Sequence, residues 1–429
     1  MTGTWPGSEL RMREARDTGT RGRGNDNRLS PTNLYAKRKR IYSGGEGQLA
    51  RERVAGRWRG FKSVAGLLAA VMVLLLARET YRFWLFLYLP GKPDREMRQV
   101  LVSPGTGAAA IARLLYAEGI VANARDFYWL CSLRHLGTRL RAGEYAFSPL
   151  STPGQVLDRL IQGDVIKHRV TLPEGTTLRN VVQLVARLGW ITEQEILHLA
   201  ANKNYIRSLG IDAASLEGYL FPDTYYFERT QDASQMLGMM VKEFWRHYPE
   251  AWRGRAREQG LTVHEVITLA SMVEKEARVD AERPLVAAVF LNRLNSHMPL
   301  QSDPTAVYDL ADFTGSITAT HLQRQSPYNT YLRKGLPPGP ICSPGTKSIQ
   351  AVLYPENVRY LYFVSNNDGT HHFSTTLAEH NAAVQNVRKR LRSQAHQAGH
   401  AGDPVSSVYP TRTLEPPDAA VNARINNTQ

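Results

Sequence analysis

The sequence predicts an α+β chain carried behind one separate apolar segment, on three observations. Residues 97–165 read as strand, helix, helix, strand. Residues 261–277, LTVHEVITLASMVEKEA, form a long run that is apolar at helical period. Residues 64–77 are continuously apolar and follow an arm rich in arginine.

A chain of 429 residues is long enough for two domains with flanking segments. Its net charge of +14 is unevenly spread, because residues 1–62 hold fifteen Lys/Arg against six Asp/Glu, a net of +9. Residues 1–60 are Arg/Gly/Ser/Asn-rich, include Lys37, Lys39 and two neighbouring arginines, and have no apolar period, which predicts a disordered basic arm. A nucleic-acid partner is disfavoured: the arm has no recognised binding fold and stands directly before an apolar run, where basic residues set membrane orientation.

That run has fourteen residues, short of the about 20 that a span needs. The aromatic stretch 83–89 extends it if Arg78 and Arg82 snorkel and Trp84 and Tyr88 sit in the headgroup layer. Residues 61–90 are therefore expected to form one transmembrane helix, with 1–60 cytoplasmic and everything after about residue 90 exported. A cleaved signal peptide fits less well, since the apolar run lies some sixty residues from the start and no small-x-small site follows. Cys131 and Cys342, the only cysteines, support neither a disulfide framework nor a metal cluster.

In 97–165, a strand at 100–102 leads to a helix at 108–118 with Thr106 as its expected cap. A second helix at 124–136, a strand at 142–147, and a helix at 153–162 behind Thr152 follow. The next domain, 166–392, opens with Val170-Thr171-Leu172-Pro173-Glu174-Gly175 and helices at 178–188 and 192–200. Residues 216–226, LEGYLFPDTYY, then crowd aromatics with Glu217 and Asp223, either as a sugar-lining surface or as a small core with two capping acids. Residues 393–429 are Ala/Pro/Asn/Thr-rich and predict a disordered tail.

The run 261–277 ends in two glutamates. Val263, Val266, Ile267, Ala270 and Val273 make one stripe, and Leu269 and Met272 make the other side apolar, so the helix is expected to be buried nearly all round. Glu274 and Glu276 lie about 200° apart on such a helix and cannot serve one bond as a close carboxylate pair. At most one is a catalytic acid, its pKa raised by burial. The alternative is that both pair with Arg278, Arg283 or Arg293.

LEGYLFPDTYY, SMVEKEA, FLNRL (290–294), LQSDPTAVY (300–308), SPYNTYLRKGLPPGPICSPG (326–345) and LYFVSNNDGTHHFSTTLAEH (361–380) occur in that order. Together they resemble the YceG-like (MltG) family of endolytic murein transglycosylases over roughly residues 98–392. The resemblance implies a single-pass protein of the bacterial inner membrane with a periplasmic YceG-like catalytic domain. That domain would cut the MurNAc-GlcNAc bond of nascent peptidoglycan strands, leave 1,6-anhydro-MurNAc ends and so terminate elongation. It implies no cofactor and no metal, and peptidoglycan synthases of the elongation or division machinery as partners. The family's catalytic glutamate falls on Glu276, with Glu274 in support. Glu217, Asp223, Gln301, Asp303, Gln325, Tyr328 and Asn329 are the expected substrate-binding residues. The unit 97–165, with its Arg141-Ala142-Gly143-Glu144-Tyr145, resembles a LysM-like α/β module.

Several residues admit other readings. Asp303, before Pro304 and two before Thr305, fits a turn or helix cap as well as a second carboxylate. The spacing of His371, His372 and His380 matches no zinc pattern, which favours hydrogen-bonding roles. The Gly335-to-Gly345 loop reads as a rigid wall, not a phosphate cradle. The family resemblance implies an acid just before Ser326 that could activate water, but Gln325 stands there and an amide is no base. A muramidase that adds water and a non-catalytic peptidoglycan-binding scaffold are the competing functions. No segment argues for a pyridoxal-phosphate site.

Overall fold

The computed structural model describes residues 46–91, 96–311 and 313–397, with side chains placed from residue 63 to 393. The predicted arm up to residue 45 and the tail from residue 398 lie outside the described residues. Contacts divide the chain into two units, Met1–Arg82 and Phe83–Gln429.

The helix that leaves the first unit, α1 (Glu46–Tyr88), begins well before residue 61, so residues 46–60 are helical where a disordered arm was expected. Its Ser63–Tyr88 portion is long and apolar enough to cross a membrane, with a mean hydropathy of 1.7. Leu67, Leu68 and Leu74 on it are exposed.

The second unit opens on a small subdomain in the predicted order. Strands β1 (Arg98–Val102) and β2 (Gly143–Phe147) pair antiparallel, Val100 opposite Tyr145, with α2 (Ala108–Ala117), α3 (Ala124–Leu133) and α4 (Pro153–Gln162) packed on them. Val102, Ile111, Leu115, Phe127, Tyr145 and Leu157 form its core, with Phe83, Phe86 and Leu87 against it. Thr152 caps α4 through a reciprocal bond with Gln155, as the sequence predicts. Thr106 caps nothing: α2 starts after Gly107, without a side-chain cap. The buried Glu144 joins this subdomain to the rest of the unit, accepting from His168 and Arg229, both at 2.8 Å.

The larger body is mainly helical. Strands β3 (His168–Thr171) and β4 (Thr224–Phe227) pair with each other, as do β5 (Tyr362–Ser365) and β6 (His371–Ser374). Between and around them lie α5 (Leu178–Ala186), α6 (Glu193–Ala200), α7 (Lys203–Ser208), α8 (Ala233–His247), α9 (Glu250–Glu258), α10 (Val263–Glu276), α11 (Arg283–Asn295), α12 (Asp303–Val307), α13 (Ala319–Leu322), α14 (Thr346–Leu353) and α15 (Leu377–Gln397). The last helix runs past residue 392, so residues 393–397 belong to it and not to the tail.

Helix α10 is the axis of this body. Thr262 and Glu265 cap it reciprocally, and every residue from Val266 to Val273 is buried, as the two-sided apolar pattern requires. Its polar members are satisfied locally: Thr268 Oγ1 donates to His264 O at 2.7 Å, and Ser271 Oγ donates to Thr268 O while accepting from the Ile341 N–H at 3.0 Å. The bond from Ile341 ties the Gly/Pro-rich loop to the helix. His264 adds to it by bonding Pro338 O at 3.1 Å, so the loop is a wall packed on α10.

Gly218 meets the same wall at φ +84°, and a Cβ there would stand 2.5 Å from the Cβ of Pro340. Gly105, at φ +79°, has nothing within 4 Å of the equivalent point. Gly218→Ala is therefore expected to cost at least about 3 kcal/mol, backbone strain plus overpacking, against about 1 kcal/mol for Gly105→Ala. Urea unfolding of both variants measures the difference, and equal costs would mean that the wall yields freely.

Candidate active site

Three segments meet at the C-terminal end of α10: the helix end, the turn 299–303 that enters α12, and the turn 326–333. Gln301 has φ +51°, a left-handed conformation that side chains seldom adopt. Arg293 holds it there. This buried guanidinium donates to Pro299 O, Leu300 O and Gln301 Oε1 at 3.2, 3.0 and 3.1 Å, while its Nε donates to Leu361 O at 2.6 Å. Carbonyls and the face of Tyr362, 5.2 Å away, answer its charge instead of a carboxylate, and burial pushes its pKa down to about 10.

The turn is fixed from its other side by hydroxyl groups. The N–H of Gln301 donates to Thr330 O at 3.2 Å and that of Ser302 to Thr330 Oγ1 at 3.0 Å. Thr305 Oγ1 donates to Ser302 O at 2.6 Å and lies 2.8 Å from Thr330 Oγ1. Ser302 Oγ thereby points at Glu276 and donates to its Oε1 at 2.6 Å; the peptide N–H of Asp303 donates to the same carboxyl group.

No ion pair reaches Glu276 among the described residues. Burial first, and the charge of Asp303 second, push its pKa up to about 7, against the opposing pull of the two donors. Asp303 is itself raised by burial, and its Oδ1 accepts from Tyr331 Oη at 2.5 Å. It occupies the first turn of α12 behind Ser302, so it is not the cap that its place before proline allows.

Glu274 points elsewhere. Its Oε2 accepts from the Gly345 N–H at 3.0 Å and from Ser348 Oγ at 2.7 Å, and lies 3.2 Å from Arg283 Nη1 in a pair whose side chains are less than a tenth exposed. Two residues of helix thus separate a paired structural carboxylate, which joins α10, α11 and α14, from an unpaired one. The ion-pair reading holds for Glu274 and fails for Glu276.

The other expected substrate contacts divide. Glu217 is 3% exposed; its carboxylate accepts from the Leu178 N–H at the start of α5 at 3.0 Å and from Tyr308 Oη at 2.7 Å. Burial pushes its pKa up to about 7. Asn329 is 0% exposed, donating to Leu322 O and Arg324 O and accepting from the Tyr331 N–H. Enclosed and bonded to protein, these two hold α5 and the 326–333 turn. Tyr328 is partly exposed and its ring lies 4.6 Å from that of Tyr308. Gln301 is partly exposed beside Ser302, and Gln325 is exposed ahead of Ser326. Asp223 is exposed, accepts from the N–H of Thr224, and has no bond to the Glu276 group.

His371 bonds Glu282 at 2.7 Å, and His380 packs on Tyr362, where burial pushes its pKa down to about 4. Among the described residues, no three His, Cys, Asp or Glu side chains gather in a way that would hold a metal.

The family model described as YceG-like matches residues 100–386. The chain belongs to the YceG-like family. An endolytic murein transglycosylase of Bacillus subtilis (strain 168) is 28% identical over 310 residues, 68% of this chain and 86% of that protein. A second protein of that name, from Streptococcus pneumoniae serotype 2 (strain D39), is 28% identical over 329 residues, and the chain spans 58% of its length. A yceG-like protein from Listeria monocytogenes, of known crystal structure, is 32% identical, with 67% of this chain and 99% of that one covered and a TM-score of 0.47.

Within the YceG-like region the sequence reading passed over Ser302, Thr305, Thr330 and Tyr331. All four lie inside the LQSDPTAVY and SPYNTY runs. Their roles come from a contact between two turns some twenty-eight residues apart, which no local period encodes.

A group whose folded pKa is raised to about 7 from an ordinary carboxyl value favours folding least where the unfolded chain is ionised. The cost is absent below about pH 4.5, grows as pH rises, and is complete above about pH 7. Glu276→Gln is thus expected to raise stability near pH 7.5 by on the order of 2 kcal/mol and to change it little near pH 4.5. Glu274→Gln is expected to destabilise at neutral pH by leaving Arg283 buried without its partner. Thermal melts from pH 4.5 to 8 compare them, and a pH-independent difference for Glu276→Gln would contradict the raised pKa.

Proposed function

We propose that this chain is an endolytic peptidoglycan lytic transglycosylase, a lyase in which Glu276 is both acid and base. The observation that carries the reading is the half-buried carboxyl group at the end of α10, with no ion pair among the described residues and its proton retained to near neutral pH. The endolytic murein transglycosylase name of two relatives supports it.

The chemistry needs one such group. Glu276 gives its proton to the oxygen bridging MurNAc and GlcNAc. The C1–O bond breaks, its electron pair stays on the leaving oxygen, and positive charge develops at C1. The C6 hydroxyl of the same MurNAc then attacks C1, and its proton passes to the Glu276 carboxylate, which restores the acid. No water is consumed, and the nucleophile is delivered intramolecularly at high effective concentration. Gln301, Gln325 and Tyr328, all with exposed surface near or beside the two turns, are the residues assigned to the strand. Asp223, on its own exposed turn, would meet the strand farther from the cut.

The apolar part of α1 serves as a single-pass anchor in the bacterial inner membrane. The excess of Lys/Arg before it favours a cytoplasmic N-terminus and a periplasmic enzyme. The strand, helix, helix, strand order of the small subdomain supports a LysM-like module. Partners of the anchored enzyme are the growing strand and the synthases that extend it.

Hydrolysis is the second reading, and Asp303 favours it, because a second carboxylate beside the acid is what activation of water requires. Two measurements decide. Glu276→Gln is expected to lower strand cleavage at least about 10³-fold while Glu274→Gln, where folded, retains most of it. Digestion of purified strands in heavy-oxygen water is expected to give 1,6-anhydro ends without label. Label in most new ends would establish a muramidase, and no cleavage at all a scaffold.

A further inference from the structure

Asp303 and Tyr331 have a use that neither substrate binding nor activation of water explains. Asp303 gives Glu276 two opposed things: its peptide N–H donates to the Glu276 carboxyl, and its own carboxylate lies close enough to act on it as a like charge. Two neighbouring carboxyl groups that are partly withdrawn from water do not both ionise readily, so between them they keep one proton in a pH range where isolated acids have lost it. Which of the two holds it depends on where the other hydrogen bonds fall.

The phenol, the most acidic hydroxyl in the group, donates to Asp303. Tyr331 Oη donates to Asp303 Oδ1 at 2.5 Å and makes no hydrogen bond to Glu276. A hydrogen bond to the ionised form favours ionisation, so the anion settles on Asp303. Glu276 accepts from Ser302 Oγ and from the Asp303 peptide N–H, both weaker acids than a phenol, so they stabilise its anion less than Tyr331 stabilises that of Asp303. The charged or titratable groups facing this pair are few: Tyr331 from the 326–333 turn, and Arg293 of α11, whose charge bears on Tyr331. No lysine or arginine bonds either carboxyl among the described residues, so no cation directs the proton.

We infer that Tyr331 and Asp303 are a positioning pair that assigns the shared proton to Glu276, Asp303 serving as the fixed anion and not as a base toward water. The inference rests on the reading of Glu276 as the acid. It also gives Asp303 a second consequence: a carboxylate that remains charged after Glu276 has given up its proton opposes ionisation of Glu276 and favours the return of the C6 hydroxyl proton.

The test is made on the full-length protein in detergent. The carboxyl resonance of Glu276 is followed by carbon NMR on protein labelled at the glutamate side-chain carboxyl, and assigned by its loss in Glu276→Gln. Asp303→Asn keeps the size of the side chain and removes the charge, and is expected to move the Glu276 titration down by about one pH unit or more. Tyr331→Phe is expected to move it in the same direction by less, because Asp303 then ionises less readily. On purified uncrosslinked strands, Asp303→Asn is expected to lower kcat about 10- to 100-fold with KM within about twofold, and to shift the alkaline limb of the kcat profile to lower pH.

A Glu276 titration that stays in place in a folded Asp303→Asn protein overturns the inference, as does a rise in KM with kcat and the alkaline limb unmoved. Where Asp303→Asn fails to fold, the Tyr331→Phe titration decides alone. The titration needs no substrate, so a shift in a protein that cleaves no strand would sustain the proton assignment and refute the enzymatic reading.

Discussion

A carboxyl group removed from water without a cation beside it is the constraint on which the catalytic body turns. Taking Glu276 out of water penalises its charged form, and the fold meets that penalty with hydrogen-bond donors that carry no formal charge, the Ser302 hydroxyl and the Asp303 peptide. An arginine there would have drawn the proton off. The buried guanidinium of Arg293 is spent on three carbonyls and an amide oxygen, so its charge stabilises the turn that delivers Ser302.

Glu274 makes the same point from the other side. It shares the helix end with Glu276, yet meets Arg283, Ser348 and the Gly345 N–H in a satisfied buried cluster. Removing a partner from such a cluster leaves an uncompensated charge, so it acts as a rivet between α10, α11 and α14. The helical step of 100° per residue makes both outcomes available to one short Glu-Lys-Glu sequence. A rigid rivet on one side is what allows a protonated acid to be held in a fixed direction on the other.

Much of the architecture was legible because it follows from local periods. The burial of α10 on every side, the helix behind Thr152, and the strand, helix, helix, strand order of the small subdomain all rest on residues within one turn or one strand of each other. Boundaries were less legible. Thr106 has the chemistry of a cap but stands one residue too early, and α1 continues upstream of residue 61 through a stretch whose composition argued for disorder. Glu217 and Asn329 are ambiguous in sequence for a different reason. Polar residues in an aromatic, turn-rich sequence serve a ligand or the backbone equally well, and only burial tells them apart.

The sequence by itself determined that two glutamates at the end of α10 face different ways, that an apolar helix of spanning length leads the chain, and that Ser302, Asp303 and Tyr331 occur in two short polar runs. Tertiary structure decided what those facts mean. It brought Arg283 to Glu274 and, among the described residues, no ion pair to Glu276, and it set the hydroxyls of Ser302 and Tyr331 on different carboxyl groups. A carboxylic acid has one chemistry in sequence, but its proton affinity is a property of the solvent it has lost and the dipoles it has gained, and both are supplied by residues distant along the chain.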